Sequence, residues 1–207
     1  DQVVCDGKES KITGRVPIKG DLIANGMTIL PWRQAFVNFS RPTFQSQIWL
    51  VTLAGAPIDP ITPTGDIHQD IAAVKGLVKG YSCMGLPNTC LDPNLYGIAE
   101  AGAHIVMFKG LLNEIAPALL NHEADLALMD IPDAVMAMEK WPGQLKVIGP
   151  LSQIQDMGVA FPKTAPLLEA AFGKFLNRCW TDGTYLQLVK KYYPAVPALF
   201  PGFFSSH

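Results

Sequence analysis

The sequence lacks several features that would point to common classes of function. It has no run of about 18 apolar residues, the minimum for a membrane-spanning helix, and no cluster of Lys and Arg that would favour a nucleic-acid partner. Its histidines and cysteines show no spacing suited to zinc, and no serine carries the flanking glycines of a nucleophile elbow. We therefore predict no cofactor, no metal, no nucleic acid and no direct insertion into a membrane.

The composition describes a chain that can fold around a core. It has 207 residues, of which 49% are apolar, and a formal net charge of −2. A chain of this length can form one domain or two smaller lobes. Because it begins at Asp1 rather than at a methionine, we expect that any export sequence has been removed or lies outside it. The four cysteines are compatible with two disulfides or with four thiols.

Hydrophobic periodicity indicates alternating strands and helices, above all from Gly80 onward. We predict strands at 47–53, 81–84, 104–108, 125–129, 145–148 and 156–162, and helices at 66–78 (capped by Thr64 or Asp66), 92–101, 111–121, 132–140, 165–180 and 184–193. Strands separated by helices of about ten residues are typical of βαβ units and a mainly parallel sheet, in which ligands bind beyond the carboxyl ends of the strands. We expect the tail from Ala195 to be irregular, with exposed phenylalanines.

The stretch that organises the chain is 21–45, DLIANGMTILPWRQAFVNFSRPTFQ. A short strand breaks at Asn25-Gly26, and Thr28 is a candidate N-cap for a short helix that carries Arg33. A guanidinium beside open backbone N–H groups suits a small carboxylate. The alternative is that Arg33 is a solvated arginine on an amphipathic helix.

Two other polar sites follow predicted strands. Asp130 ends the strand 125–129 and can either bind a ligand or cap the helix that begins after Ile131-Pro132. The segment 88–90, Asn-Thr-Cys, can present backbone N–H groups to an anion or simply cap the next helix.

The run GDLIANGMTILPWRQAFVNFSRPTF resembles the signature of the bacterial extracellular solute-binding proteins of family 3, which bind amino acids. The spacing of the arginine and the pair Phe39-Ser40 fit that signature, whereas Leu30 stands where threonine is usual. The carboxy-terminal run GVAFPKTAPLLEAAFGKFLNRCWTDGTYLQLVKKYYP is similar to the same family, including its Asp-Gly-Thr-Tyr turn.

The resemblance implies an α/β, periplasmic-binding-protein-like fold of two lobes with mainly parallel sheets, joined by two crossing strands. It places lobe 1 at 1–50 and 160–207 and lobe 2 at 51–159. Residues 1–19 match nothing in the family, so the amino-terminal part of lobe 1 would be missing. If the cysteines form disulfides, lobe membership favours the pairs Cys83–Cys90 and Cys5–Cys179.

The resemblance also implies a ligand site for a small zwitterion, with a guanidinium clamping the carboxylate and an aspartate holding the α-ammonium group. The motif HEADLALMD supplies that aspartate. The ligand-binding residues carried over in this way are Gly26, Thr28, Arg33, Asn88, Thr89, Cys90 and Asp130.

In function, the resemblance implies a periplasmic or extracellular binding protein, not an enzyme, that delivers its small-molecule ligand to the membrane permease of an ABC transporter. Two alternatives stay open. One is an extracytoplasmic sensor domain of a receptor. The other is a cyclohexadienyl-dehydratase-like enzyme on the same fold, for which Glu114 or Asp92 would be the general acid.

Overall fold

The computed structural model describes residues 2–5, 10–14 and 19–205. Within these ranges the strands are β1 (Gln2–Cys5), β2 (Ser10–Gly14), β3 (Ile23–Thr28), β4 (Val37–Phe39), β5 (Phe44–Ser46), β6 (Ile48–Leu53), β7 (Ser82–Gly85), β8 (His104–Met107), β9 (Leu126–Asp130), β10 (Leu145–Pro150) and β11 (Gln155–Pro162). The helices are α1 (Pro31–Gln34), α2 (Ile67–Gly76), α3 (Ile115–Leu120), α4 (Ile131–Lys140), α5 (Pro166–Thr181), α6 (Thr184–Tyr192), α7 (Val196–Leu199) and α8 (Pro201–Ser205), with 3₁₀ turns at Pro93–Tyr96 and Leu112–Glu114.

The chain forms two compact units. Residues 19–46 and the segment from Gln155 onward belong to the first unit, and Gln47–Ile154 form most of the second. Within residues 19–205, the chain therefore passes from one unit to the other at 46–47 and at 154–155. The lobe limits at 50–51 and 159–160 given in the sequence analysis stay a prediction.

The second unit is built on a five-stranded sheet of order β10-β6-β9-β7-β8. β7 runs parallel to both β8 and β9, as the predicted βαβ order requires, whereas β6 runs antiparallel to both β9 and β10. The sheet is therefore mixed, and the α/β class is confirmed. The middle of β6 and β9 forms the core, where Leu50, Val51, Leu126 and Leu128 are 0% exposed. Each such side chain contributes about 1.5–3 kcal/mol through the hydrophobic effect.

In the first unit, β11 is the strand on which the others depend. β3, β4 and β5 all pair antiparallel with β11. The pairing with β3 shifts register between Gly158 and Ala160. Ser40 completes the pairing there, because its N–H donates to the Val159 carbonyl (2.9 Å) and its Oγ accepts from the Val159 N–H (3.1 Å). Ser40, the serine of the Phe-Ser pair in the signature, thus stabilises this sheet.

In the second unit, Ser152 likewise bonds through its hydroxyl to the backbone of a neighbouring segment. Its Oγ accepts from the Ile48 N–H (3.0 Å) and donates to the Gln153 carbonyl (2.7 Å). Both serines are at most 9% exposed, so each satisfies a backbone donor that would otherwise be buried without a partner.

The described part of the carboxy-terminal tail, 195–205, forms short helices, which corrects the prediction of an irregular end with exposed phenylalanines. Phe200 and Phe203 are 4% and 9% exposed. Phe204 packs edge-on against Phe44, with ring centroids 6.3 Å apart, and Phe203 packs against Trp180 at 5.8 Å. The two prolines of the tail, Pro197 and Pro201, lie in the first turns of short helices, where proline is well tolerated.

The prediction of a helix at 92–101 is wrong. Only the 3₁₀ turn at 93–96 forms, and it ends at Gly97, whose φ of 63° is left-handed. The helix predicted at 111–121 is shorter than expected and begins with a 3₁₀ turn. Asp66 caps α2 as predicted, accepting from the His68 N–H at 2.9 Å.

Neither suggested disulfide is formed in the structure. Cys83 is a buried thiol, and burial raises its pKa to about 12. Cys179 is also a thiol, and the side chain of Cys5 lies outside the described residues. Cys83 fills a core position in β7 instead, where it behaves as a small apolar residue.

Candidate functional site

The central polar residue of the second unit is Asp130, the last residue of β9. It is 6% exposed and is also the N-cap of α4, where its Oδ1 accepts from the Asp133 N–H at 3.2 Å. Burial, and the nearby charge of Asp133, raise the pKa of Asp130 to about 7. The capping role weighed from the sequence is therefore real. The carboxyl group is nonetheless costly to ionise where it stands, and a ligand cation would remove that cost.

Asp133 adds a second acid to the same turn of α4. Its N–H donates to Asp130 Oδ1, which places both residues at the start of α4, and burial raises the pKa of Asp133 as well. Sequence reasoning missed this residue. The available signal was an acid three residues after an N-cap acid, a spacing that brings both onto one helical turn.

The loop 86–92 follows β7. Asn88 adopts a left-handed backbone (φ 61°), and its N–H donates to Asp92 Oδ2 at 3.1 Å. The Thr89 hydroxyl donates to the Leu86 carbonyl (2.8 Å) and accepts from the Leu91 N–H (3.0 Å). The Cys90 carbonyl accepts from the Tyr96 hydroxyl. Asn88 and Thr89 are not helix caps, because Asp92 caps the 3₁₀ turn.

This loop and Asp130 lie at the same edge of the sheet. β7 and β9 are adjacent and parallel, with Cys83 opposite Leu126 and Met84 opposite Ala127. Because their carboxyl ends meet at one edge, the loop after β7 and the aspartate after β9 are neighbours. This is the edge at which α/β sheets bind their ligands.

In the first unit, Arg33 lies on α1, immediately after β3. Its Nη1 donates to the Thr28 carbonyl at 2.8 Å, and its guanidinium carbon lies 5.1 Å from the centroid of the Trp32 ring. Thr28 is 2% exposed and ends β3, and Leu30 occupies the N-cap position of α1, so the prediction of Thr28 as N-cap is wrong. The Thr28 carbonyl at the end of β3 therefore holds the half-buried guanidinium of Arg33.

Gly26 sits within β3, which continues through the break predicted at Asn25-Gly26. Its φ of 71° lies in the left-handed region that glycine adopts without strain. The structure thus brings Gly26, Thr28 and Arg33 together in the first unit, and the loop 88–90 and Asp130 together in the second.

Phe44 and Trp49 each make contacts within their own unit. Phe44 packs edge-on against Tyr193, with centroids 5.7 Å apart, in the core of the first unit. Trp49 donates from Nε1 to Gln47 Oε1 at 2.9 Å and packs against the core of the second unit.

The acids considered for catalysis both serve local structure. Asp92 is 7% exposed and accepts from the N–H groups of Asn88 and Asn94. Glu114 is exposed and accepts from the Leu111 N–H at 2.7 Å.

A cavity of about 560 Å³ lies elsewhere in the second unit. It is lined by the end of β6 and by residues that precede β7 and β9, among them Tyr81 and Asp125. Since β6 is antiparallel to β9, this is the opposite edge of the sheet from Asp130. None of the predicted site residues lines it.

The part of the chain that the structure describes contains neither a metal-binding cluster nor a membrane-spanning helix. No three His, Cys, Asp or Glu side chains are grouped in a way that could hold a metal ion. No helix in the described ranges combines the length and the apolar character needed to cross a membrane.

An α/β chain of two units, with an arginine after a strand of one and a buried aspartate at the carboxyl edge of the other, has the design of a solute-binding protein. The chain belongs to the bacterial extracellular solute-binding proteins, family 3, whose sequence profile matches residues 9–195. Comparison with curated protein sequences gave no match.

Solved structures share the fold at low sequence identity. A mutant of the arginine-binding protein ArgBP from T. maritima is 22% identical with a TM-score of 0.70, over 84% of this chain and 69% of that one. The binding component of an ABC transporter from Wolinella succinogenes, complexed with lysine, is 22% identical with a TM-score of 0.69, over 84% and 70%. The GluR0 ligand-binding core from Nostoc punctiforme, in complex with L-glutamate, is 18% identical with a TM-score of 0.65, over 84% and 74%.

Proposed function

We propose that this protein captures an α-amino acid outside the cytoplasm, in the periplasm or at the cell exterior, and presents it to the membrane permease of an ABC transporter. Arg33 of the first unit binds the carboxylate, and Asp130 of the second unit binds the ammonium group. Gly26, Thr28 and the loop 88–90 contribute backbone groups around the ligand.

The observation that carries the proposal is the environment of Asp130. A carboxyl group that is 6% exposed and stands beside another acid is unfavourable to ionise, and the described part of the second unit pairs it with no basic side chain. A ligand ammonium at this edge supplies the missing positive charge. Family membership supports an extracellular binding role, and the arginine, lysine and glutamate named for relatives support an amino-acid ligand.

We also propose that the protein binds its ligand without catalysing a reaction. The family is one of binding proteins. Asp92 and Glu114 are occupied in capping contacts, which suits a structural role better than that of a general acid.

The proposal predicts a large loss of affinity when either charged residue is neutralised. Arg33→Ala or Asp130→Asn should weaken amino-acid binding at least about 30-fold, because loss of one buried charge partner typically costs about 2–5 kcal/mol. A thermal-shift screen against the twenty amino acids identifies the ligand, which at 100 times its dissociation constant adds about 2.7 kcal/mol of stability. Isothermal titration calorimetry then measures each variant.

Two controls match these variants in charge. Arg41→Ala removes an exposed guanidinium that lies near Trp180 in the first unit, and Asp59→Asn removes a carboxylate whose side chain is 99% exposed in the second. Both should bind as the wild type does. Full affinity in Arg33→Ala or Asp130→Asn would contradict the assigned roles.

A sensor domain of a receptor is the second candidate, favoured by the likeness to the GluR0 ligand-binding core. The same amino acid would bind at the same residues. The complete reading frame separates the two, because a transmembrane helix following residue 207 would indicate sensing and a free carboxyl terminus would indicate transport.

A further inference from the structure

The ligand site proposed above contains two acids where one would suffice for an ammonium group. Asp130 is the N-cap of α4, and Asp133 lies on its first turn, where its N–H donates to Asp130 Oδ1 at 3.2 Å. Asp130 is 6% exposed and Asp133 is half-buried, so two negative charges here repel each other and ionising both acids is less favourable than ionising one.

We propose that Asp130 and Asp133 share one proton in the ligand-free protein near neutral pH, and that the ammonium group of the bound amino acid displaces this proton into solvent. The charge balances, because a proton leaves as a ligand cation arrives and the pair goes from one negative charge to two. This inference rests on the proposed function for the ligand, but the shared proton is a property of the free protein.

The surroundings of the pair support a shared proton. In the second unit, β6, β9 and β10 pack against α4. Apart from Asp130 itself, their only titratable side chain is Lys146 of β10. Lys146 lies opposite Thr52, at the far end of β6 from Ile48, which pairs with Asp130. Its Nζ donates to the Ala56 carbonyl at 2.9 Å and so points to other partners.

The remaining charges on α4 are Glu139 and Lys140, in its last turn. Both are exposed. Lys140 Nζ lies 4.6 Å from the centroid of the Trp141 ring. Within the described residues of the second unit, the acid pair therefore has no basic partner, and the pKa of Asp130 is raised accordingly.

The shared proton is tested without any ligand by ¹³C NMR titration of the aspartate carboxyl carbons, with Asp130→Asn identifying the Asp130 resonance by its loss. Asp130 should titrate near pH 7, and in Asp133→Asn its midpoint should move to lower pH, because the neighbouring negative charge is gone. Glu139→Gln, which removes an exposed carboxylate from the same helix, should leave the midpoint unchanged. If every aspartate of the wild type titrates in the ordinary range near 4, the inference is overturned, and that outcome requires neither an assignment nor a folded variant.

Displacement is tested by calorimetry at pH 6 in buffers of different ionisation enthalpy, with L-arginine, L-lysine and L-glutamate as probes. About 0.9 proton should be released for each molecule bound, and affinity should fall about tenfold for each pH unit below 7. Binding without proton release overturns this inference and leaves amino-acid binding intact. If no amino acid binds at pH 8, the proposed function fails, while the NMR titration still decides whether the acids share a proton.

Discussion

At the scale of single residues, two helix-capping aspartates show how burial decides the effect of a charge. Asp66 and Asp130 both accept backbone N–H groups at the start of a helix. Asp66 is exposed, and the backbone N–H groups of His68 and Gln69 lower its pKa. Asp130 is buried beside Asp133, and its pKa is raised. The ionised carboxylate of Asp66 therefore stabilises the folded protein, whereas ionisation of Asp130 destabilises it.

The variant Asp130→Asn should therefore stabilise the free protein while it weakens ligand binding. Between about pH 4 and pH 7 the folded state holds a proton that the unfolded state has released, so the free energy of unfolding of the wild type falls as pH rises across that window. Asparagine keeps the helix cap without the charge. We expect a gain of roughly 2–4 kcal/mol at pH 8 and little change at pH 4, measured by urea denaturation.

Asp66→Asn is the matched control and should behave in the opposite way. Because the pKa of Asp66 is lowered in the folded state, its contribution to stability is present above the unfolded pKa and is lost as pH falls. The variant should be slightly less stable than the wild type at neutral pH and equal to it in acid. A loss of stability at pH 8 in Asp130→Asn would show that its carboxylate is well solvated or paired.

Arg33 and Asp130 could be predicted as site residues from their positions after strands, but the residues that surround them in the fold could not. Asp133 looked like any polar residue in a first helical turn. Its burial depends on how α4 lies on β6 and β9, which no local pattern encodes. Thr28 was a reasonable N-cap by residue type, yet its strand runs on and takes it into the sheet.

At the scale of elements, the turn after β7 is fixed by a close backbone approach. A Cβ on Gly85 would lie 2.2 Å from the Leu91 carbonyl oxygen and 2.6 Å from Pro93 Cδ. The loop between them carries the segment 88–90 of the proposed site. Only glycine allows the strand end and the returning loop to lie this close.

Gly85→Ala should cost at least about 2 kcal/mol of stability, because the atoms it meets are backbone and ring atoms that cannot move aside. Differential scanning calorimetry of the variant against the wild type measures the loss. Gly173→Ala is the control, since nothing lies within 4 Å of the added methyl group on α5. Alanine there should be neutral or stabilise by up to about 1 kcal/mol. Equal stability of the two variants would contradict the close approach.

Element type was predictable wherever periodicity was strong. The strands β6 to β11 and the helices α2, α4, α5 and α6 all fall where the apolar pattern placed them. Prediction failed at 92–101, where the apolar spacing suits a helix but Gly97 takes a left-handed conformation that ends the turn. Tertiary contacts decided that region, and they also buried the phenylalanines of the tail.

At the scale of the whole molecule, stability is distributed unevenly over the sheets. β6 and β9 pair with each other through the middle of the five-stranded sheet, and their central residues are fully buried. β3 pairs with β11 along one side, and its first three residues are exposed. The order of strands, more than any single contact, sets this difference.

Hydrogen exchange followed by mass spectrometry should reproduce this order. Amides of 48–53 and 126–130 should exchange slowest, because they open only with the second unit as a whole, and those of 23–26 should exchange much faster. Peptides spanning each strand resolve the two classes. Equal protection in β3 and β6 would mean that the two sheets open together.

The dependence of β3, β4 and β5 on β11 has a consequence for the order in which the protein is made. On a ribosome, the residues of these three strands emerge more than a hundred positions ahead of their common partner at 155–162. Gln47–Ile154 is one uninterrupted stretch that holds all five strands of its own sheet, so it can acquire its structure during elongation. β3, β4 and β5 therefore stay unpaired in this sheet until β11, at the start of the last quarter of the chain, has been synthesised.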